Sequence, residues 1–426
     1  MDKKIEKIVY GKRQHFPIFL RKVNHKFFLV VQSLHRRLFS KKLEQTQKAL
    51  IVYPAVQEKA VLTEILNRLS WTYPNDHKLS VYVPTDLKVN FNNNLDLKYQ
   101  HPYFKNISNI QFIDPQYIDY YTNISEKILV HQKKYQYDLF FTKNFSEVIM
   151  IDPFYFSVEE SNHMKFGYYN MLNNDEKAWY KSLSEANFEK FRSNKIDKHK
   201  AYIFVTGPSY NNYKRFNYEK NSLKIVCNTI VKDEEFLDFI GGPDIIAFAD
   251  PAFHFSTNLY AKEFRDLVFK NVKKYNSFVL VPQATVPLLI LNYPEIKNNI
   301  IGLSRSSEIT IPSGGNLHTK PTGSIITFMM IPFASCFAKQ IYIVGADGRQ
   351  KKENYFWKHN DKVQLTSLME SVYTTHPSFF RDRNYSSHYR EHCDYFEELL
   401  KYGESKNINY YSLTNSFIPA LQKRTI

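Results

Sequence analysis

Short apolar runs alternate with longer amphipathic stretches along most of this chain. KALIVYPAV (48–56) has the continuous apolar character of a buried strand, and EKAVLTEILNRLSW (58–71) follows it with the spacing of a helix. Further strand-like runs in this part of the chain are KLSVYVP (78–84), IQFID (110–114), YDLFFTK (137–143) and EVIMID (147–152). Strands that alternate with helices predict a parallel sheet with helices on its faces.

A second series of apolar runs follows residue 198, and each run ends in small or polar residues. These runs are AYIFVT (201–206), LKIVCN (223–228), DIIAFAD (244–250), SFVLVP (277–282) and QIYIVGAD (340–347). Ligands of open α/β sheets bind outside the carboxyl ends of the strands, so we expect Ser209 and Asn228 to line one crevice. The pattern therefore predicts an α/β protein with two Rossmann-like units and mostly parallel sheets.

Length and composition agree with two domains after a short leader. The 426 residues are 43% apolar and 16% aromatic, which is enough material for two packed cores. A charged helix at 176–198 closes the first unit, so we place a leader at 1–47, an N-terminal α/β domain at 48–198 and a second domain at 199–426. Three widely spaced cysteines without a CxxC pair predict neither a disulfide framework nor a zinc site.

The formal charge of +15 is concentrated in the leader. Residues 1–50 contain thirteen lysines or arginines and three acidic residues, a net charge of +10. Within them, FLRKVNHKFFLVVQSLHRRLFSKK (19–42) predicts a basic amphipathic helix, and each cation near an anionic lipid surface contributes about 1 kcal/mol. Its apolar run is far shorter than the ~20 residues that span a bilayer, and no signal-peptide cleavage site follows. We therefore expect a cytoplasmic protein that binds the inner face of the cytoplasmic membrane peripherally. A solvated helix packed on the protein is the alternative.

Nucleic acid is not an expected partner, because the rest of the chain has no basic stripe interleaved with aromatic residues. The turn Thr206-Gly207-Pro208-Ser209 offers backbone N–H groups and a hydroxyl that suit phosphate, although such a turn after a strand is commonly only a turn. Neither GxGxxG nor GxxxxGK[ST] occurs, so a dinucleotide fingerprint and a P-loop are absent. The apolar run 325–338 contains Pro332 and predicts a buried, kinked helix.

Several motifs occur together in the second domain. VTGPS, VCN, FADPAFHF, TGSIITFMMIPFASCFAKQIYIVGAD, a histidine-rich loop and NYYSLTNS follow one another in this order. This combination resembles bacterial sialyltransferases of glycosyltransferase family 42, over about residues 199–426. The resemblance implies a second domain of the GT-A-variant sialyltransferase type and leaves the first 198 residues unexplained.

The resemblance also implies a set of residues that bind the nucleotide of the donor. They are Thr206, Gly207, Ser209, Asn228, Asp250, Thr322, Gly323, Ser324, Arg349 and Tyr355. Three of them depart from the family pattern: Thr206 replaces an asparagine, Asp250 an amide and Arg349 a tyrosine. An arginine at that last position would still suit phosphate, because its guanidinium donates charge-assisted hydrogen bonds in a fork. His318 and Lys320 are candidates for contact with the donor carboxylate.

The catalytic histidine of the family lies in a loop before a helix. Here that region offers His376, His388 and His392, and the spacing to the terminal LTNS favours His388. Neutral imidazole would accept the proton of the acceptor hydroxyl as that oxygen attacks the anomeric carbon. The scheme requires no metal and no cofactor besides the CMP-activated donor. Asp347 is expected to order the strand end, since a single acid does not make a DxD metal motif.

The resemblance predicts an inverting glycosyltransferase that moves sialic acid or a related acidic sugar from a CMP donor. The acceptor would be a cell-surface glycan or glycolipid, of the lipooligosaccharide or capsule type, with the N-terminal domain on the acceptor side. Two alternatives stay open. One is a two-Rossmann-domain glycosyltransferase that uses another nucleotide sugar, and the other is a non-catalytic polysaccharide-assembly protein with the same fold.

Overall fold

A computed structural model of the chain describes most of both predicted domains. The described residues are 48–74, 78–87, 109–132, 147–154, 157–194, 199–349, 362–382 and 385–426, with the single positions 23, 27 and 30; for 147, 159 and 385–388 only the backbone is described. The chain forms two compact units. The first consists of Met1–Met171, Pro251–Leu259 and Glu370–Arg383, and the second of Leu172–Asp250, Tyr260–Met369 and Asn384–Ile426.

The strands and helices are numbered along the chain. The strands are β1 (Lys48–Tyr53), β2 (Leu79–Pro84), β3 (Ile110–Ile113), β4 (Lys127–Val130), β5 (Glu147–Met150), β6 (Lys200–Phe204), β7 (Leu223–Cys227), β8 (Ile245–Ala247), β9 (Phe278–Pro282), β10 (Ile300–Arg305), β11 (His318–Thr319), β12 (Gln340–Val344) and β13 (Asn409–Ser412). The helices are α1 (Lys59–Thr72), α2 (Ile118–Ile124), α3 (Ser157–Phe166), α4 (Asn174–Ser193), α5 (Glu234–Phe239), α6 (Pro251–His254), α7 (Leu259–Tyr275), α8 (Val286–Asn292), α9 (Ile331–Ala334), α10 (Met369–Thr375), α11 (Pro377–Arg381), α12 (Tyr385–Glu404) and α13 (Pro419–Gln422).

The sheet of the first unit has the order β3-β2-β1-β4-β5 within the described residues, and all neighbouring strands are parallel. Leu50, Ile51 and Val52 in the central strand β1 are fully buried. A parallel strand covered on both faces needs apolar residues at consecutive positions, which explains the unbroken apolar run. Helix α1 buries a stripe at helical spacing that includes Leu62 and Leu66.

The sheet of the second unit has the order β11-β10-β9-β8-β7-β6-β12-β13, and its described neighbours are again parallel. Its core includes a group of aromatic rings. Phe191 of α4 lies 5.1 Å from Phe278 of β9, and Phe188 lies 6.0 Å from Phe333 of α9, measured between ring centroids. The Asn187 side-chain amide also donates to the Ile300 carbonyl at 2.8 Å. Helix α4 therefore packs in the core of the second unit.

The predicted α/β class with two mostly parallel sheets is confirmed. Strands β1, β2, β3 and β5 and helix α1 occur where the apolar pattern predicted them, as do β6 to β9 and β12. Strands β4, β10, β11 and β13 were not predicted, and the predicted strand at 137–143 lies outside the described residues.

The two compact units do not follow the predicted boundary at residue 198. The second unit begins at Leu172, and the first includes two later segments of the chain. Helix α4, predicted at 176–198 to close the first unit, packs in the second one. The segments Pro251–Leu259 and Glu370–Arg383 lie in the first unit, although both are flanked in sequence by parts of the second.

The leader is described at three positions only. Val23, Phe27 and Val30 are helical, and their side chains are exposed. The rest of the predicted basic helix lies outside the described residues. Within the part of the chain that the structure describes, no helix is long and apolar enough to cross a membrane.

Candidate functional site

The sheet of the second unit has a topological switch point between β6 and β12. From β6 the chain adds strands β7 to β11 successively on one side, and it then returns to place β12 and β13 on the other side of β6. In a doubly wound parallel sheet, the loops that follow the two strands at such a point diverge and leave a crevice for a ligand. The carboxyl ends of β6 and β12 are therefore where a ligand site is expected.

The segments that follow β6 and β12 approach each other closely. The Gly207 N–H donates to the Gly345 carbonyl at 2.9 Å, and a Cβ on Gly207 would lie 2.3 Å from that carbonyl oxygen. Gly345 has a φ of +79°, and a Cβ there would lie 2.2 Å from the Val205 carbonyl oxygen. Close packing of the two strand ends is thus a sufficient reason for both glycines, independent of any nucleotide.

The Asp347 carboxylate binds the turn after β6. It accepts hydrogen bonds from the Ser209 backbone N–H at 2.8 Å and from the Ser209 hydroxyl. That N–H belongs to the first turn of a 3-10 helix at Pro208–Arg215, where backbone N–H groups lack internal acceptors and a carboxylate is favourable. Burial raises the pKa of Asp347, and the two Ser209 donors act against that shift. Asp347 orders this strand end, as expected, and both donors of Ser209 are engaged within the protein.

Thr206, Asn228 and Asp250 follow the adjacent strands β6, β7 and β8. The register pairs Phe204 with Val226, and Thr206 and Asn228 each follow this pair by two residues at the same edge of the sheet. Asn228 has a φ of +51°, a left-handed conformation that asparagine tolerates better than most residues. Its side-chain oxygen Oδ1 is buried and has no hydrogen-bond partner in the described part of the chain. A buried acceptor without a partner destabilises the folded protein by about 1–3 kcal/mol, and a ligand that donated a hydrogen bond to it would remove this penalty.

Arg349 places a buried cation after β12. Its side chain packs on Tyr389 of α12, with the guanidinium carbon 4.8 Å from the ring centroid, and the Arg349 backbone N–H donates to the Tyr389 hydroxyl at 3.0 Å. Burial raises the pKa of Tyr389 to about 12, so the phenol stays protonated at neutral pH. The switch point therefore has an arginine that suits phosphate next to a carboxylate that is already bound to Ser209.

Thr322, Gly323 and Ser324 precede a π-helical turn at Ile326–Met330 that continues into α9. The hydroxyls of Thr322 and Thr327 hydrogen-bond at 2.8 Å, and the Ser324 carbonyl accepts the Phe328 N–H at 2.9 Å. These contacts order the helix start.

Pro332 lies near the start of α9, where the buried π-helical turn Ile326–Met330 ends. Pro332 has no N–H, so the carbonyl of Phe328, four residues earlier, lacks its helical donor. The Thr319 hydroxyl donates to that carbonyl instead, at 2.8 Å.

The two candidates for contact with a donor carboxylate are also engaged within the protein. His318 Nδ1 lies 2.6 Å from the Asn316 side-chain oxygen, and the Lys320 ammonium lies 5.2 Å from the Tyr395 ring centroid.

The histidine candidates occupy different places. His388 lies in the first turn of α12 with a helical backbone, whereas the resemblance implies a loop before a helix; its side chain is outside the described residues. Tyr355 is also outside them. His392 is buried, with its ring 5.4 Å from that of Phe396. His376 lies in the first unit, within a separate group of polar side chains.

This second group, the polar cluster, consists of Arg68, Glu160, Ser256 and His376. Glu160 Oε1 accepts hydrogen bonds from Arg68 Nη1 at 2.8 Å and from His376 Nδ1 at 2.7 Å. His376 Nε2 hydrogen-bonds the Ser256 hydroxyl, whose oxygen also accepts the Asn258 N–H at 3.3 Å. All four side chains belong to the first unit, and each residue is at most 5% exposed.

Interactions in and beside the polar cluster determine the ionisation of Glu160, the proton on His376 Nδ1 and the neutral state of the nearby His163 ring. Burial disfavours ionisation of Glu160, but His376 and Arg68 outweigh it and lower the pKa of that carboxyl. An ionised carboxylate only accepts hydrogen bonds, so His376 Nδ1 must carry a proton. Burial and the nearby Arg68 lower the pKa of His163 to about 3, which leaves that ring neutral.

The polar cluster links segments that are distant in sequence. The order serine, histidine, carboxylate also occurs in nucleophilic catalysis, but here every member is buried and bonded within the protein, as in a structural network. Its bonds join positions that are 92, 120 and 216 residues apart. The sequence contained no local signal for it, although His376 was one of the three histidines considered.

Among the described residues, no group of three or more histidine, cysteine, aspartate or glutamate side chains is placed to hold a metal ion. Comparisons with protein-family models, curated proteins and solved structures gave no match to this chain.

Proposed function

We propose that the second unit binds a CMP-activated acidic sugar at its switch point and that the protein transfers this sugar with inversion to a glycan or glycolipid hydroxyl. The observation that carries the proposal is that Thr206, Asn228 and Arg349 follow the neighbouring strands β6, β7 and β12 at the switch point. Parallel α/β sheets bind ligands at this location. Sialic acid or a related sugar, as in the resembling family, is the proposed cargo.

Asn228 is the proposed contact for the nucleoside. Its buried Oδ1 can accept one or two hydrogen bonds and has no partner in the described residues. The cytosine amino group and the ribose hydroxyls are donors of the kind it lacks. A nucleoside that filled this acceptor would gain the hydrogen bond and relieve the desolvation cost of the free amide oxygen.

Arg349 is the proposed contact for the phosphate. A buried guanidinium binds phosphate more strongly than an exposed one, because less water screens the charge. Ser209 is a weaker candidate than the resemblance implies, because Asp347 already accepts both of its donors. A phosphate that used Ser209 would have to displace a carboxylate from the same N–H and O–H groups.

The proposed chemistry is a single displacement. The acceptor hydroxyl loses its proton to His388 while its oxygen attacks the anomeric carbon, and the bond from that carbon to the phosphate oxygen of CMP breaks. CMP leaves with the bonding electron pair, and the charge that develops on its phosphate is stabilised by Arg349. The proton remains on the imidazole until solvent removes it.

Release of CMP from CMP-activated acidic sugars tests this function. We expect wild-type protein to release CMP from one such donor, faster when a glycan acceptor is present. His388→Ala should reduce the rate by about a hundredfold or more, as expected for loss of a general base, and His199→Ala, which removes an exposed histidine of the same unit, should not change it.

The alternatives give different results in the same assay. A transferase for another nucleotide sugar would release UDP or GDP from its own donor and leave CMP-sugars intact. A non-catalytic assembly protein would release no nucleotide from any donor, and His388→Ala would leave its binding properties unchanged.

A further inference from the structure

The hydroxyl of Tyr389 in α12 holds the backbone that follows β12. It accepts the Arg349 N–H at 3.0 Å and lies 3.3 Å from the Arg349 carbonyl, to which it can donate. Gly348 has a φ of +69°, and a Cβ on it would lie 2.7 Å from the same hydroxyl oxygen. The phenol therefore sits against two successive residues of this segment, and only a residue without a side chain fits at position 348.

The ring of Tyr389 holds the Arg349 side chain as well. The guanidinium carbon lies 4.8 Å from the ring centroid, a distance at which the face of an aromatic ring attracts a cation. Burial raises the pKa of Tyr389 to about 12, so the phenol carries no charge at neutral pH. A neutral ring orients the guanidinium without cancelling its positive charge, whereas a carboxylate in the same place would cancel it.

The C-terminal segment 414–418 fixes the residues between β12 and Arg349. The Gly345 N–H donates to the Thr414 hydroxyl at 3.1 Å, the Ala346 carbonyl accepts from the Ser416 hydroxyl at 2.6 Å, and the Asp347 carbonyl accepts from the Phe417 N–H at 2.6 Å. The backbone therefore has a hydrogen-bond partner at each of residues 345–347 and again at 349. A cation on such a backbone loses little conformational freedom when it binds a ligand, which favours affinity.

We propose that Tyr389 is a positioning residue for phosphate binding: its hydroxyl fixes the Arg349 backbone and its ring fixes the guanidinium, so that the arginine is in place before a nucleotide binds. This inference rests on the proposed role of Arg349 as the phosphate contact. It adds that the affinity of that contact depends on a residue 40 positions away in sequence. Tyr389 acts through Arg349 and needs no contact with the nucleotide.

A double-mutant cycle on Tyr389 and Arg349 tests the proposal, with CMP affinity measured by calorimetric titration of the full chain. Tyr389→Phe keeps the ring and removes the hydroxyl, so we expect it to weaken CMP binding about fivefold or more. Tyr389→Leu also removes the ring and should weaken binding further. In the Arg349→Ala background, adding Tyr389→Phe should change the affinity by less than about twofold, because a residue that acts through the arginine has no effect without it.

Tyr410→Phe is the matched control. Tyr410 lies in β13 of the same unit, and its phenol is also buried, with a pKa raised to about 12 and the Ser335 hydroxyl at 2.9 Å. It pairs in register with Ile341, near the amino end of β12, whereas Arg349 follows the carboxyl end. This variant should bind CMP like wild type. Thermal unfolding of each variant measures the loss of stability separately from the loss of affinity.

Two outcomes would overturn the inference and leave the proposed function intact. One is CMP binding by Tyr389→Phe as tight as that of wild type. The other is an effect of Tyr389→Phe that persists undiminished in the Arg349→Ala background, which would show a general structural role.

Titration of the same variants with UDP and GDP separates the two proposals. If wild type binds one of these instead of CMP, and both Arg349→Ala and Tyr389→Phe weaken that binding, the CMP donor is wrong and the role of Tyr389 stands. If wild type binds none of the three nucleotides, both proposals fail.

Discussion

Glu160→Gln tests whether the polar cluster stabilises the first unit. The substitution keeps the shape of the side chain and removes its negative charge. In the native protein one oxygen of Glu160 accepts from Arg68 at 2.8 Å and from His376 at 2.7 Å. A hydrogen bond to a charged group contributes about 1.5–3 kcal/mol, and the loss of charge on this shared acceptor weakens two of them.

The expected loss of stability depends on the partners that Arg68 keeps after the substitution. Its guanidinium stays buried, with the half-exposed Glu64 carboxylate at 3.1 Å and the Thr375 carbonyl at 2.9 Å as remaining partners. Breaking a buried ion pair costs about 3–5 kcal/mol, because a buried charge loses its compensation. The remaining partners offset part of this, so we expect a loss of about 2–4 kcal/mol in the free energy of unfolding, against a typical total of about 5–15 kcal/mol.

Glu64→Gln is the matched control, because it removes a carboxylate from the same arginine. The Glu64 side chain is 50% exposed, so its ion pair should contribute only about 0–1 kcal/mol. Urea unfolding compares the two variants with wild type. Hydrogen exchange measured by mass spectrometry on peptides from β1 and α1 reports the first unit separately from the second.

The effect should depend on pH in a defined direction. The pKa of Glu160 is lowered in the folded protein, so its contribution to stability is present above the ordinary glutamate pKa and is lost as the pH falls through the folded value. The difference between wild type and Glu160→Gln should therefore shrink below about pH 4. Equal losses for Glu160→Gln and Glu64→Gln, or a difference that persists undiminished in acid, would refute the reasoning.

Four further predictions concern other buried groups. Gly345→Ala should lower the free energy of unfolding by more than the ~1–3 kcal/mol that a left-handed non-glycine residue costs, because the new Cβ would also lie 2.2 Å from the Val205 carbonyl oxygen. An unchanged urea unfolding curve would contradict this. Thr319→Val leaves the Phe328 carbonyl without its hydroxyl donor and should lower the free energy of unfolding by about 1–3 kcal/mol in the same assay. The ring nitrogens of His163 should show no NMR titration between neutral pH and about pH 4, since burial lowers its pKa to about 3; a midpoint near the ordinary value would be inconsistent with that burial. Burial raises the pKa of the Cys227 thiol, so thiol reagents should modify it only when the protein unfolds, and rapid labelling of the folded protein would contradict its placement.

The sheets were predictable because parallel strands covered on both faces require continuous apolar runs. ALIVY in β1 and FVLVP in β9 show this pattern, and both form buried strands. Strand β4 was missed because only Ser125 and Glu126 separate KILV from the short helix α2, with no glycine or proline between them, and β11 is only two residues long. Helix α4 was found, but its place in the second unit depends on which core accepts Phe188 and Phe191, which periodicity does not show.

The candidate site was predictable only in part. Polar residues after each strand indicated a ligand edge, and Asn228 and Arg349 lie there. The switch point depends on the order of strands in the sheet, which the order along the chain does not determine. The contact of Asp347 with Ser209 joins residues 138 positions apart, so the engagement of Ser209 had no sequence signal. The polar cluster was missed for the same reason.

Nucleotide selectivity tests the central claim most directly. Calorimetric titration with CMP, UDP and GDP, in the presence of a chelator, measures whether the switch point of the second unit binds a cytidine nucleotide. We predict that CMP binds, that UDP and GDP bind far more weakly, and that Asn228→Ala and Arg349→Ala each weaken CMP binding by about tenfold or more. Arg192→Ala, at an exposed ion pair of α4, should not change it. Binding of UDP or GDP in place of CMP, or CMP binding that survives Arg349→Ala unchanged, would contradict the proposed donor site.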